Sequence, residues 1–233
     1  MYSAIAGIYH ELFPVNTDFL DYVAASLQPG DAVLDAGCGS GDTAGMLAGR
    51  GFAVSGADAD GRMIARASNT YPAVGFHALD IRNLDRLSGS FHCIYCIGNV
   101  ISYLKPDEKT RLIRIVKSML EPRGLWITQF VNWDAIVTRD HVAFQDKEIP
   151  DIGVVFKRSY PRIQPERVVF QTELIRDGES RIDTADLFPV TVADFQRMNT
   201  DIGFELKLHG RDFRGTPYDS ATITGNVFVY FKP

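Results

Sequence analysis

Short apolar runs alternate with amphipathic segments over the first 130 residues. Five runs have the length and the apolar content of β-strands, namely residues 32–36, 52–58, 74–80, 91–97 and 124–130. Apolar side chains recur at helical spacing in residues 17–27, 42–50, 61–70 and 106–120. Short strands that alternate with helices predict a parallel sheet with helices on both faces.

The pattern changes after Phe130. Residues 131–187 contain no helical run of normal length, and their β-like stretches surround a Pro-rich turn and the pair Asp177-Gly178, which predicts an antiparallel insertion with one hairpin. A helix is predicted over residues 191–204, with Thr191 as its N-terminal cap. Two final strands, residues 205–211 and 221–231, are close enough in sequence to favour antiparallel pairing.

These elements predict an α/β fold with a Rossmann-like, doubly wound, seven-stranded and mostly parallel sheet. Its last strand is antiparallel, and a small antiparallel β insertion follows strand 5. The predicted core consists of residues 1–130 and 188–233. Residues 131–187 are expected to form a cap over the substrate site, because ligands of such sheets bind at the carboxyl ends of the strands.

Composition narrows the classes of function. The chain has 45 % hydrophobic and 23 % charged residues and a net charge of −5, which is typical of globular enzymes and argues against a nucleic-acid partner. The apolar runs are far shorter than the roughly 18 residues of a membrane span, and the N-terminus lacks the basic region of a signal peptide. We therefore expect a cytoplasmic monomer or homodimer that acts on a small-molecule substrate.

The three cysteines indicate a reducing compartment and no disulfide framework. Cys93 and Cys96 form a "CIYC" sequence within a predicted strand. Residues three apart in a strand point to opposite faces, so these two thiols are expected to be buried small hydrophobes rather than a redox pair. The histidines lack the spacing of a zinc motif, and no metal site is predicted.

The sequence "VLDAGCGSG", residues 33–41, holds the clearest candidate chemistry. Gly37, Gly39 and Gly41 give G-x-G-x-G in place of the dinucleotide pattern G-x-G-x-x-G. Asp42 begins the following helix, where a carboxylate disfavours a pyrophosphate. Asp35 adds a second negative charge at the end of the strand. The loop therefore favours a cationic nucleoside over NAD.

This stretch resembles motif I, D/E-x-G-x-G-x-G, of the class I S-adenosylmethionine-dependent methyltransferases. Asp58 ends the second strand about 20 residues later, where related folds bind ribose hydroxyls, and Asp80 ends the third. The resemblance implies the cofactor S-adenosyl-L-methionine and the product S-adenosyl-L-homocysteine. It implies these cofactor-binding residues: Tyr9, Asp35, Gly37, Cys38, Gly39, Gly41, Asp58, Ala59, Met63, Asp80, Ile81, Ile97, Gly98, Asn99 and Tyr103.

The segment "CIGNVISYL" after the fourth strand is similar to that of the glycine, sarcosine and other small-molecule N-methyltransferases. The N-terminal "IAGIYHELF" resembles their "Y-D-x-L" segment, with Tyr9 over the cofactor and His10 in place of the aspartate. The resemblance covers residues 5–130 and 188–231, and the insertion matches no known motif.

These features predict an enzyme that transfers a methyl group to a small-molecule acceptor, and they favour an amine nitrogen as the atom that is methylated. Tyr9, His10 and Asn99 are the candidate catalytic residues, and Tyr218 and Arg211 are further candidates for a base. A non-catalytic S-adenosylmethionine-binding protein remains an alternative. The G-x-G-x-G spacing and Asp42 disfavour a third reading, an NAD-dependent oxidoreductase.

Overall fold

Residues 2–233, which the computed structural model describes, form two β-sheets. The strands are β1 (Ala32–Ala36), β2 (Ala53–Asp58), β3 (Gly75–Ala78), β4 (Phe91–Cys96), β5 (Leu120–Phe130), β6 (Val142–Ala143), β7 (Lys147–Ile149), β8 (Val154–Gln164), β9 (Arg167–Arg176), β10 (Glu179–Leu187), β11 (Glu205–Gly210) and β12 (Asn226–Phe231). The helices are α1 (Tyr9–Leu12), α2 (Thr17–Ser26), α3 (Asp42–Gly49), α4 (Gly61–Thr70), α5 (Pro106–Met119), α6 (Trp133–Ile136) and α7 (Val192–Asp201). Shorter 3₁₀ helices span Tyr2–Ile8, Ile81–Arg86, Val100–Tyr103 and Pro150–Ile152.

The main sheet has seven strands in the order β3-β2-β1-β4-β5-β12-β11. The pairs β2-β3, β1-β2, β1-β4 and β4-β5 are parallel, whereas β12 runs antiparallel to both β5 and β11. The predicted Rossmann-like sheet with an antiparallel last strand is confirmed. Its order reverses at β1, and the crevice beside such a reversal is where open α/β sheets bind ligands.

Helices cover both faces of this sheet, so strand residues are buried on alternate sides. Val33 and Cys93 pack with Phe19 of α2 on one face, whereas Leu34 and Cys96 belong to the core on the other. Cys93 and Cys96 are buried free thiols on opposite faces, as the strand period predicts. None of the helices in the described part of the chain is long and apolar enough to span a membrane.

The second sheet follows β5 and has the order β10-β9-β8-β6, with β7 paired to the other end of β8. The prediction of one hairpin in this region was wrong, because the pairs β7-β8, β8-β9 and β9-β10 form three. Asp177 and Gly178 connect β9 to β10 with φ of 53° and 79°, as a tight primed turn requires. β8 also continues through Pro161 to Gln164, so the turn between β8 and β9 is shorter than the Pro-rich sequence indicated.

The last predicted strand, residues 221–231, begins five residues late, at Asn226. The preceding loop is held by Asn132, whose side-chain amide donates to the carbonyl oxygens of Asp219 and Thr222 at 3.0 and 2.8 Å. The helix before this pair of strands begins as predicted, since the Thr191 hydroxyl accepts from the Asp194 N–H at 3.0 Å.

The N-terminal segment, residues 5–16, packs against the second sheet. Ile5 and Leu12 share a small apolar core with Ile149, Val154 and Phe156 of β7 and β8. Arg66 of α4 binds the same segment from the main sheet through the carbonyl oxygen of Gly7. The N-terminal segment therefore contacts both the main sheet's helical layer and the second sheet.

Candidate functional site

A cavity of about 560 Å³ lies at the carboxyl ends of the central parallel strands. Its walls come from the loops after β1, β2 and β4, the start of the 3₁₀ helix after β3, the end of β5 and the N-terminal segment. The lining residues are Tyr9, Phe13, Pro14, Val15, Asn16, Asp35, Gly37, Cys38, Gly39, Ser40, Asp42, Thr43, Asp58, Ala59, Asp60, Met63, Asp80, Ile81, Arg82, Ile97, Gly98, Val100, Tyr103, Leu104 and Gln129.

The three glycines of the loop serve two different purposes. All three have positive φ: 93° at Gly37, 52° at Gly39 and 78° at Gly41. A Cβ atom at Gly37 would lie 2.6 Å from the Val100 side chain, and one at Gly41 would lie 2.6 Å from the Phe76 ring. A Cβ atom at Gly39 meets nothing within 4 Å, because this glycine faces the cavity. Gly39 therefore leaves room for a ligand, whereas Gly37 and Gly41 permit close packing.

Asp58 connects two of the loops that surround the cavity. Its Oδ2 accepts from the Gly39 N–H at 2.9 Å, and its Oδ1 accepts from the Asp60 N–H at 2.8 Å. Burial raises the pKa of Asp58, although both hydrogen bonds act in the opposite direction. The carboxylate thus fixes the backbone of the glycine loop while one side of it borders the cavity.

Asp35 lies deeper, behind the glycine loop, and is 3 % exposed. The Tyr95 hydroxyl donates to its Oδ2 at 2.8 Å. Burial raises the pKa of Asp35 to about 8; the Tyr95 hydrogen bond lowers it in part, and the Asp58 charge adds to the rise. A cation in the cavity would favour the ionised form of this carboxyl group.

The cavity as a whole is acidic. Asp35, Asp42, Asp58, Asp60 and Asp80 line it. The lining guanidinium, Arg82, donates to both oxygens of Asp80 at 2.9 and 2.6 Å and also to Glu108 at 3.2 Å. This pairing with Arg82 holds the pKa of Asp80 below its usual value. Such a wall attracts a cationic ligand and repels a pyrophosphate, which depends on cations and free helix N-termini.

Thirteen of the residues predicted from sequence line this cavity: Tyr9, Asp35, Gly37, Cys38, Gly39, Asp58, Ala59, Met63, Asp80, Ile81, Ile97, Gly98 and Tyr103. Three lie behind or outside its wall. Gly41 packs on Phe76, and His10 is exposed, with its Nδ1 2.9 Å from the Arg66 guanidinium. Asn99 turns inward and accepts from the Ser102 hydroxyl at 2.7 Å and the Val131 N–H at 3.3 Å.

Asn99 differs from its expected position because it has a structural task. Its φ of 68° makes the turn from β4 into the Val100–Tyr103 helix, and asparagine tolerates that conformation. The Ser102 hydroxyl that donates to Asn99 also accepts from the Trp133 indole at 3.0 Å. Tyr218, another base candidate, has its hydroxyl oxygen 3.1 Å from Asn132 Oδ1 and 2.9 Å from Asp134 Oδ2, and it does not line the cavity.

Several lining residues were missed by the sequence analysis. Gln129 is the next-to-last residue of β5, as Asp35 is of β1, so its position was a usable signal. Its Oε1 accepts from the Gly98 N–H at 2.8 Å. Phe13, Pro14, Val15 and Asn16 reach the cavity only through the path of the N-terminal segment, for which the sequence has no marker. Within the described residues, no group of three or more histidines, cysteines or acids is arranged to hold a metal ion.

Comparison with known proteins adds independent support. A sequence model of a family described as a methyltransferase domain matches residues 33–124, from β1 into β5. YqeM of Bacillus subtilis (strain 168), a proposed methyltransferase, is 29 % identical over 93 % of this chain and 91 % of its own length. The glycine/sarcosine N-methyltransferase of Parasynechococcus marenigrum (strain WH8102) is 25 % identical over 75 % of this chain and 63 % of its own length.

A solved structure shows how far the fold is shared. The S-adenosylmethionine-dependent methyltransferase of Clostridium acetobutylicum ATCC 824 superposes with a TM-score of 0.83 over 99 % of this chain and 98 % of its own, at 16 % identity. The likeness thus extends through the second sheet. The matched family model covers the glycine loop and the ends of β1 to β4, and it includes all five aspartates of the cavity wall. Residues 33–124 therefore match the methyltransferase-domain family, and the whole chain has the fold of an S-adenosylmethionine-dependent methyltransferase.

Proposed function

We propose that this enzyme transfers the methyl group of S-adenosylmethionine to an amine nitrogen of a small molecule. The observation that carries the cofactor assignment is the acidic cavity, in which the buried Asp35 lies behind a glycine loop open at Gly39. The amine assignment is supported by the relative that methylates glycine and sarcosine. It is also supported by the chemistry, since an amine that arrives neutral needs no general base.

The residues of the cavity divide into three parts in this proposal. Asp58 binds the ribose hydroxyls, and Asp80 with Ile81 contacts the adenine. Asp35 and the glycine loop attract the ammonium and sulfonium charges of the amino-acid part. Ile97, Gly98 and Tyr103 form the wall beside that part, and Tyr9 covers it from the N-terminal segment.

The bound cofactor supplies an electrophilic methyl carbon. The main task of the protein is then to hold the acceptor nitrogen in line with that carbon and the sulfur. Orientation alone can provide effective molarities of about 10⁵ M or more. Tyr9 and Phe13, whose ring centroids are 4.8 Å apart, are proposed to align the acceptor and exclude water at the cavity mouth. We propose that residues 131–187 act as a cap over that mouth, with residues 1–130 and 188–233 as the core that binds the cofactor.

The first test is calorimetric titration with S-adenosylmethionine, S-adenosylhomocysteine and NAD, followed by a screen of small amines, phenols and acids for S-adenosylhomocysteine release. We expect binding of both sulfur compounds and turnover with an amine. Turnover confined to phenols or acids would contradict the amine proposal. Tight cofactor binding without turnover on any acceptor would favour a non-catalytic binding protein.

Substitution of Gly39 tests the geometry of the loop. Gly39→Ala places a methyl group into the open cavity, so we expect the dissociation constant of S-adenosylmethionine to rise at least about tenfold, the loss of a little over 1 kcal/mol of binding. Gly153→Ala is the matched control, because Gly153 has a similar φ of 61° and equally open surroundings but does not line the cavity. Equal binding by both variants would contradict this placement of the cofactor.

A further inference from the structure

Two cationic side chains of the second sheet meet on one aromatic ring at the cavity wall. The Arg158 guanidinium carbon lies 5.2 Å from the ring centroid of Phe13, and the Lys147 Nζ lies 5.0 Å from it. Arg158 also lies 5.3 Å from the Phe144 ring. Phe13 itself lines the cavity, so only its ring lies between the two cations and the cavity.

Neither cation has an acidic partner in the described part of the chain. The acidic Glu173 of β9 pairs with Lys157 of β8 instead, and the Nε atom of Arg158 is buried without a hydrogen-bond acceptor. The two cations also act on each other: burial lowers the pKa of Lys147, and the charge of Arg158 lowers it further. A partly buried guanidinium beside a second cation is costly unless an anion pairs with it.

The position of Arg158 along β8 adds to this argument. Val154, Phe156 and Arg158 alternate along the strand, so they share the face that packs on the N-terminal segment. Apart from Lys147, the side chains around Arg158 on this face are apolar and aromatic, and Thr172 is the residue opposite it on β9. The charge of Arg158 is met here by aromatic rings and not by an acidic side chain of the described residues, which leaves it able to pair with an anion.

We propose that Lys147 and Arg158 bind an anionic group, a carboxylate or a phosphate, on the methyl acceptor. This inference rests on the proposed amine methylation and narrows its substrate to amines that carry an acid. Five aspartates line the cavity, and the two cations lie against the Phe13 ring, which forms another part of its wall. This charge asymmetry orients such an acceptor, with its amine toward the methyl donor and its anion toward the second sheet. A planar guanidinium can bind either anion with two parallel hydrogen bonds.

The test measures binding to the protein saturated with S-adenosylhomocysteine. β-Alanine is compared with propylamine, and O-phosphoethanolamine with ethanolamine, because each pair differs by the anionic group. Calorimetry gives the affinity, and the ¹⁵Nε resonance of Arg158 reports contact at the guanidinium. We expect at least one acid to bind about tenfold or more tightly than its neutral partner, as charge-assisted hydrogen bonds allow, and to shift this resonance. The pair with the larger ratio of affinities, acid over neutral amine, shows whether the site prefers a carboxylate or a phosphate.

Variants then locate the effect. Arg158→Gln and Lys147→Gln should each reduce the preference for the acid, and the double variant should abolish it. Arg162→Gln is the matched control, since Arg162 is an exposed arginine of the same strand without contact to Phe13. No preference in the wild-type protein, or one that survives in the double variant, would overturn the anion site. Failure to bind S-adenosylhomocysteine would instead overturn the proposed function, so the two failures are distinguishable.

Discussion

Replacement of Asp58 by alanine is expected to raise the dissociation constant of S-adenosylmethionine by at least about 100-fold. The proposed ribose contacts are hydrogen bonds to a charged group, each contributing about 1.5–3 kcal/mol, and a tenfold change corresponds to 1.4 kcal/mol. The variant also leaves the N–H groups of Gly39 and Asp60 without their acceptor. The glycine loop therefore loses an anchor at the same time as the cofactor loses a ligand.

Calorimetry with S-adenosylmethionine measures this effect, and two further variants make it specific. Asp58→Asn keeps the size of the side chain but offers one carbonyl oxygen to two N–H donors, so an intermediate loss is expected. Asp85→Ala removes an exposed carboxylate that pairs with Arg111 on the surface and should bind normally. Wild-type affinity in Asp58→Ala, with an unchanged melting temperature, would show that the cofactor binds elsewhere.

The main sheet is predictable from sequence because its signals are local. Strands β1, β4 and β12 are short apolar runs that are almost entirely buried, and several helices begin with a side-chain cap. Asp60, for example, accepts from the Arg62 and Met63 N–H groups at 2.9 and 3.4 Å to begin α4. The opposite burial of Cys93 and Cys96 follows from the strand period alone.

The parts that sequence could not supply depend on contacts between distant segments. The route of the N-terminal segment is set by its packing on Phe156 of β8, more than 140 residues later in the chain. The inward turn of Asn99 depends on Ser102 and Val131, and the position of His10 depends on Arg66. A motif identifies which residues are polar near the site, but tertiary partners decide which of them face it.

Three aspartates, Asp35, Asp58 and Asp80, lie near the carboxyl ends of β1, β2 and β3 and illustrate this limit. In sequence they are equivalent acidic residues after apolar runs. In the structure, Asp80 is paired with Arg82, Asp58 binds two backbone N–H groups, and Asp35 is buried against Tyr95. Asp80 has a lowered pKa, whereas Asp35 has a pKa near 8, so only the latter changes charge in the neutral range.

Asp35 therefore predicts a pH dependence of cofactor binding. With a pKa of about 8 the carboxyl group is mostly protonated in the free protein at pH 6, whereas the charges of the bound cofactor favour its ionised form. Binding must then release a proton below pH 8, and the dissociation constant should fall by up to about 100-fold between pH 6 and pH 8.5, tenfold for each pH unit below the pKa. Asp35→Asn carries no titratable proton, so its affinity should be weak and nearly constant over this range.

Calorimetry in buffers of different ionisation enthalpy counts the protons released. Tyr95→Phe supplies a second test, because loss of the hydroxyl donor raises the Asp35 pKa further and should move the binding profile to higher pH.

The raised pKa of Asp35 affects folding in the opposite direction: without cofactor, the free energy of unfolding falls as the pH rises, whereas cofactor binding becomes tighter. The unfolded chain ionises Asp35 near pH 4, so its contribution to stability is present below that pH and is lost as the pH rises through 8. Asp35→Asn should be free of that loss, and a pH-independent affinity in the wild-type protein would show that Asp35 does not interact with the cofactor's charge.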